Sequence, residues 1–340
     1  MKATVFYAPN KPLAIEDVPV PSPGPEDVLV KVAACGVCHT DLHYIDHGVP
    51  TFKTPPLILG HECSGVVEEC GSNVHSWKSG DRVLLPAVVS CGSCRMCRLG
   101  RENICERMNM FGNNINGAYA EYVLAPAKDI FALPAEVPLT DAAIIADALS
   151  TPYHAVKNRA RVQLSDRVLV FGCGGVGINV VQMAAAAGGD VVAIDVKQNK
   201  LDLALKLGAR AAVNAATEDV RKAVKNLFPG GADIAIEAIG NPSTIEQAFE
   251  CVRAGGRLCV VGYSDHTAKL NAAKLMFREM EIVGSLGCRP VDYPGVINLV
   301  TQKRIHLAPV ITHRFALDQI NEALDVLRKG EGLRILIQML

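Results

Sequence analysis

The rhythm of hydrophobic and polar positions changes near residue 150. Over the first 130 residues the apolar positions come in short runs: KATVFY, DVLVKVAAC, CSGVVEEC, DRVLLPAVV and AEYVLAP. Pro- and Gly-rich breaks such as PVPSPGPED separate them. Such runs, bounded by turn formers, predict a compact and mostly antiparallel β domain. After residue 150, strand-like runs alternate with helical ones. The strand candidates are RVLVFG (167–172), DVVAID (190–195), AAVN (211–214), ADIAIEAIG (232–240), RLCVVG (257–262) and EIVGS (281–285). Six strands interleaved with helices predict a doubly wound parallel sheet. Near the end, Leu317, Ile320, Leu324 and Leu327 recur at helical spacing, and an apolar strand, LRILIQML, follows.

Residues 168–189 carry no charge over 22 positions, which is long enough to span a bilayer. Six of them are glycine, however, and the run changes from a β-branched stretch to a turn and then to a helical pattern. A buried strand–turn–helix accounts for it better than a membrane span. With 49% apolar and 20% charged residues and a net charge of -1, the chain has the composition of an ordinary globular protein. It has no charge block that would attract nucleic acid or a membrane surface. MKATVFYAPN has no apolar signal-peptide core, so the expected location is the cytoplasm. There most of the twelve cysteines would stay reduced, and clustered ones read as metal ligands.

Gly172, Gly174 and Gly177 form G-x-G-x-x-G directly after a strand and at the start of a helix. The first glycine makes the turn, the second admits a pyrophosphate against the backbone, and the third lets helix and strand pack closely. Gly175 and Val176 complete the cofactor-facing turn. Asp195 ends the next strand, 18 residues past Gly177. An acidic group there accepts hydrogen bonds from the adenosine ribose hydroxyls and repels a 2′-phosphate, which predicts NAD over NADP.

Two sets of residues have the chemistry of zinc ligands. Cys91, Cys94, Cys97 and Cys105 lie close enough in sequence to share one ion, and four thiolates leave no position for substrate. The alternatives are a disulfide pair or unrelated thiols. The loop they occupy holds Arg95, Arg98, Arg101, Glu102 and Arg107, and a metal would order it where hydrophobic burial cannot. Cys38 in GVCHTD and His61 in GHE are a thiolate and an imidazole 23 residues apart, which only a fold can bring together.

Around His61, GHECSGVVEECGSNV (60–74) resembles the signature of zinc-containing alcohol dehydrogenases, with Gly60, His61, Glu62, Gly65, Gly71 and Val74 in register. CHTD at 38–41, the four-cysteine lobe and the glycine turn fit the same family, the medium-chain dehydrogenases/reductases, over essentially the whole chain. The resemblance implies a GroES-like catalytic domain over 1–150 and 288–340, with a structural zinc lobe at 91–105. It also implies a Rossmann NAD-binding domain over 151–287. It implies zinc-dependent interconversion of alcohols with aldehydes or ketones, NAD as hydride carrier, and about two zinc ions per chain. A polyol or sugar dehydrogenase of the same family is the alternative. Homotetramers are frequent among members of about this length.

Residue roles follow by position. Cys38 and His61 resemble the first two catalytic zinc ligands. The third is commonly a cysteine, and here Asp147 in DALSTPY stands in its place. Glu62 resembles a group beside the metal that can act as an alternate ligand, and it ranks below Asp147. Thr40 would take the substrate proton and His43 deliver it to solvent. His39 matches a pyrophosphate contact and Lys200 a ribose contact. Val261 and Ser285 fall at the nicotinamide end, and Arg334 matches an arginine at the pyrophosphate. Ala87 takes the place of a Trp or Phe that often borders the substrate, which predicts a roomier pocket suited to secondary or bulky alcohols. Cys35, Cys63, Cys70, Cys173, Cys251, Cys259 and Cys288 read as small core residues.

Overall fold

A computed structural model describes residues 1–339. The chain divides into two compact units, Met1–Ser150 with Gly287–Leu340, and Thr151–Leu286.

The first unit is built on β structure. Its main sheet runs Phe131–Ala132, Arg82–Leu85, Glu62–Cys70, Asp27–Val37, Arg334–Gln338 and Ile311–Ala316, and Tyr122–Pro126 pairs with Asp27–Val37. Neighbours are antiparallel except Ile311–Ala316 and Arg334–Gln338, which run parallel. A smaller sheet joins Ala14–Asp17, Lys2–Phe6 and Leu57–Ile58. Inward-facing Val28, Val30, Val32, Val67 and Val83 supply a core onto which Leu317, Ile320, Leu324 and Leu327 also pack. The last four begin in a single 3₁₀ turn (Leu317–Gln319) and continue through helix Ile320–Arg328, so the stripe seen in the sequence is the face that covers the sheet.

The second unit holds six parallel strands in the spatial order Ala211–Asn214, Asp190–Asp195, Arg167–Phe171, Ala232–Glu237, Val252–Val260 and Glu281–Gly284. Numbered along the chain this is 3-2-1-4-5-6, the doubly wound arrangement. The direction of winding reverses beside Arg167–Phe171, and ligands bind such sheets at the carboxyl ends of the strands at that reversal. Strand five starts at Val252, five residues before the apolar run RLCVVG, because polar Arg253 and the glycines after it still extend along the sheet through a register shift. The uncharged run 168–189 resolves into the end of strand Arg167–Phe171, a turn and helix Gly177–Ala186. Among the described residues, no helix is long and apolar enough to cross a membrane.

A candidate zinc and dinucleotide site

Three strand ends converge in the first unit. The register that pairs Gly36 with Glu62 and Val37 with Ile335 draws the ends carrying Cys38, Glu62 and Arg334 to one corner of the sheet. His61 directly precedes strand Glu62–Cys70. Asp147 comes from the turn after the 3₁₀ helix Asp141–Ile145. Donor atoms of Cys38, His61, Glu62 and Asp147 all lie within 4.8 Å of one another. Gly36 leaves the room this needs, because a Cβ there would overlap the Glu62 carboxylate.

The polar atoms at this corner are short of partners. Both ring nitrogens of His61 and the Oε2 oxygen of Glu62 are buried without a hydrogen bond. His61 Nε2 stands 3.9 Å from Asp147 Oδ2. Buried polar atoms left in this way are costly unless something else binds them, and a thiolate, an imidazole and carboxylates are a set that suits Zn2+. Burial opposes a charge on His61, but Asp41, Cys38 and Asp147 together outweigh it and raise its pKa to about 10. The carboxylates of Asp41 and Asp147 stand 3.7 and 3.9 Å from its two ring nitrogens. Burial pushes the Glu62 carboxyl up to about 7, with Arg334 offsetting only part of the rise.

Two partners of the site were not legible in the sequence. Asp41, fully buried, accepts hydrogen bonds from the Cys38 backbone N–H at 3.1 Å and from the Tyr119 hydroxyl at 2.7 Å, and its Oδ1 lies 3.7 Å from His61 Nδ1. It thus faces the ring nitrogen of His61 opposite Nε2, as an orienting carboxylate does. CHTD contains Asp41, but a carboxylate three residues past the cysteine reads equally well as a helix cap. Arg334 was expected at a pyrophosphate. Here it is 3% exposed, and its guanidinium forms an ion pair with Glu62 Oε1 at 2.9 Å. No spacing rule relates residues 62 and 334. Only the shared neighbour strand Asp27–Val37 does.

Cys38 caps helix His39–Ile45, which carries His39, Thr40 and His43. Thr40 Oγ1 lies 3.6 Å from Cys38 Sγ. His43, one turn further on, is half-buried, with its ring 5.6 Å from that of His47, while His39 is exposed. Ala87 is nearly buried, and its carbonyl accepts from Phe111 N–H.

In the lobe the four sulfurs form a cluster, with Cys94–Cys97, Cys94–Cys105 and Cys91–Cys97 separations of 3.4, 3.8 and 3.9 Å. Tetrahedral Zn–S bonds of ~2.3 Å place sulfurs roughly 3.8 Å apart, so the cluster has the size of a zinc cage. None of the cysteines is in a disulfide. N–H groups point at the sulfurs, led at Cys91 by Ser93 and then Cys94, which lowers the Cys91 pKa. Arg107 Nη2 adds a contact to Cys91 Sγ at 3.5 Å. Of the seven cysteines read as core, six are buried. Cys70 is only half-buried, because it closes strand Glu62–Cys70 at the rim of the core, where its thiol reaches the Trp77 carbonyl.

In the second unit, Gly172 has φ +88°, a left-handed conformation that a side chain disfavours. A Cβ on Gly177 would strike the Gly172 carbonyl, whereas a Cβ on Gly174 would meet only open space. The first and third glycines are thus needed by the chain itself, and the second leaves the loop bare toward solvent, as a phosphate cradle requires. Asp195 accepts from Cys173 N–H at 2.7 Å and from Lys197 N–H at 2.9 Å, which fixes its carboxylate beside the glycine turn. Lys200 lies on helix Gln198–Lys206, which begins three residues after the strand that Asp195 closes. Val261 N–H donates to Glu237 O, and the Ser285 hydroxyl is buried without a hydrogen-bond partner.

Comparison with known proteins gives the family. Residues 24–135 match the alcohol dehydrogenase GroES-like domain, and residues 175–302 match the zinc-binding dehydrogenase domain. An L-threonine 3-dehydrogenase from Bacillus licheniformis is 33% identical, over 99% of this chain and 98% of that one. The chain belongs to the zinc-dependent medium-chain dehydrogenase/reductase family. Among solved structures of that family's kind, the alcohol dehydrogenase of Aeropyrum pernix superposes with a TM-score of 0.91 at 34% identity, covering 99% of this chain and 100% of that one. A Sinorhizobium meliloti protein solved with NADP gives 0.92 at 32% identity, covering 99% and 98%.

Proposed function

We propose that this member of the zinc-dependent dehydrogenases oxidises a secondary alcohol to a ketone, reversibly, with NAD. The observation that carries the reading is the convergence of Cys38, His61, Glu62 and Asp147 in one unit of a chain whose other unit presents a glycine turn beside Asp195. Cys38, His61 and Asp147 would hold the catalytic ion, because Arg334 already engages Glu62. Zinc bound there would supply Lewis acidity toward a substrate hydroxyl, and a dinucleotide with its pyrophosphate on the glycine turn would supply the nicotinamide as hydride acceptor.

The chain's own groups do the rest. Thr40, beside Cys38, would accept the hydroxyl proton as its own hydroxyl proton passes on, and His43, one turn further along the helix, would release a proton to water. Histidine suits that last step because its ordinary pKa of ~6.5 lies near working pH. His39 belongs to the pyrophosphate side of this reading, Lys200 to the adenosine ribose, and Val261 and Ser285 to the nicotinamide, while Arg334 stays with Glu62. The assembly proposed is a homotetramer, which light scattering tests.

NAD rather than NADP follows from Asp195. Asp195→Ala is expected to lower the NAD-over-NADP preference by roughly 10- to 100-fold, the equivalent of one or two charge-assisted hydrogen bonds and a lost repulsion. An unchanged ratio of kcat/KM for the two cofactors removes Asp195 from that role.

Ala87 and the threonine-dehydrogenase relatives both favour a secondary carbinol, the second pointing to a 2-amino-3-hydroxy acid. A panel of ethanol, 2-butanol, cyclohexanol, 2,3-butanediol and L-threonine with NAD should show kcat/KM for at least one secondary alcohol roughly tenfold or more above ethanol, a spread that a methylene or two of pocket fit can produce. Preference for ethanol defeats the secondary-alcohol reading, and metal analysis finding no zinc defeats the whole of it.

A further inference from the structure

Tyr293 opens helix Tyr293–Thr301, far along the chain from the metal-site residues, and is 1% exposed. Its ring stacks on Phe131, with centroids 4.7 Å apart and planes 12° from parallel. Its hydroxyl donates to the Ala146 carbonyl at 2.7 Å. Ser150 Oγ lies 2.9 Å from the same carbonyl and 3.4 Å from the phenol oxygen. The Ala87 backbone N–H also points at the phenol. Burial keeps the phenol protonated, and therefore a donor.

These contacts meet at a significant place. Ala146 immediately precedes Asp147, and residues 146–149 form an irregular turn after the 3₁₀ helix ends. Cys38 and His61 are held by sheet ladders at their strand ends, but no ladder reaches Asp147. Around it, Ala146 N–H donates to Ala143 and Leu149 N–H to Ile144, and the Ala146 carbonyl is held by the phenol and the Ser150 hydroxyl. The same phenol reaches the backbone of Ala87.

We infer that Tyr293 is a positioning residue. Its hydroxyl sets the backbone of Asp147 relative to Cys38 and His61, and so sets the geometry and affinity of the metal site without touching the ion. The inference rests on the reading of Asp147 as a ligand.

Cobalt substituted at this site tests it, with the lobe left in zinc. Tyr293→Phe retains the ring and its stacking and removes only the hydroxyl. It should shift the visible ligand-field bands of the cobalt protein and weaken cobalt affinity about tenfold, the lower end of what losing a partner of a metal ligand costs. Unchanged bands and affinity overturn the inference. Asp147→Asn is measured alongside. If it also leaves bands and affinity unchanged, the ligand reading itself fails. If it changes them while Tyr293→Phe does not, only the positioning role fails. Should Tyr293→Phe not fold, Ser150→Ala, which leaves the phenol as the donor at the Ala146 carbonyl, must leave the bands in place, and shifted bands overturn the inference by giving the role to Ser150.

Discussion

Cys38→Ala is expected to lower turnover by roughly 10³-fold or more while leaving the fold intact. A metal acting on a reacting oxygen contributes several kcal/mol to the barrier, and ~4 kcal/mol corresponds to about three powers of ten. Cys38 supplies the only thiolate of its cluster, so its loss leaves an imidazole and carboxylates to hold the ion. Little else depends on it. The helix cap uses the Cys38 backbone N–H, which alanine keeps, and the main chain stays tied to Asp41 Oδ2. Unfolding curves that nearly overlay those of the parent, with kcat/KM collapsed, are the expected pair of results. Turnover within tenfold of the parent would remove Cys38 from the site.

Cys94→Ala should do the opposite, with full initial turnover and a lobe that comes apart. The buried apolar atoms of the lobe are the cysteines themselves. Cys94, Cys97 and Cys105 form their own small cluster, with only Cys91, Met96 and Met108 against it. Without metal, four neighbouring thiols cannot replace a hydrophobic core, and a segment with so few apolar contacts opens locally well below the global unfolding free energy. Trypsin should then cut after Arg95, Arg98 and Arg101, which the intact lobe protects, and a strong chelator should produce the same cleavage in the parent. A loss of ~3 kcal/mol would lower Tm by roughly 10 °C for a unit of this size. Trypsin resistance retained together with lost activity would reverse the roles of the two clusters.

The fold was legible because its signals are local. Short apolar runs with Pro and Gly breaks, and strands alternating with helices, state the class of each half, and the observed sheets agree with them. Leu317, Ile320, Leu324 and Leu327 showed their buried face through spacing alone. Element edges were less legible. The strand Val252–Val260 begins among polar and glycine residues that no hydrophobic pattern marks.

Site residues divide along the same line. The glycine turn and the four lobe cysteines are contiguous, so backbone conformation and ligand spacing are written within fifteen or so residues of chain. Asp41, Arg334 and Tyr293 acquire their meaning from partners far away. Arg334 meets Glu62 only because Arg334–Gln338 and Glu62–Cys70 both pair with Asp27–Val37, and the register of those ladders decides which side chains share the corner. A slip of one residue would turn each of these side chains to the other face of the sheet. Tyr293 meets the Asp147 turn through packing alone, with no ladder to announce it.

The sequence by itself therefore determined the two architectures, the glycine turn and the grouping of the four lobe cysteines, since each is specified by residues close along the chain. Which buried carboxylate faces His61, which cation neutralises Glu62 and what steadies Asp147 were decided only in the tertiary structure. Those are relations between strand ends and turns, set by register and packing, and nothing in the spacing of residues along the chain encodes them.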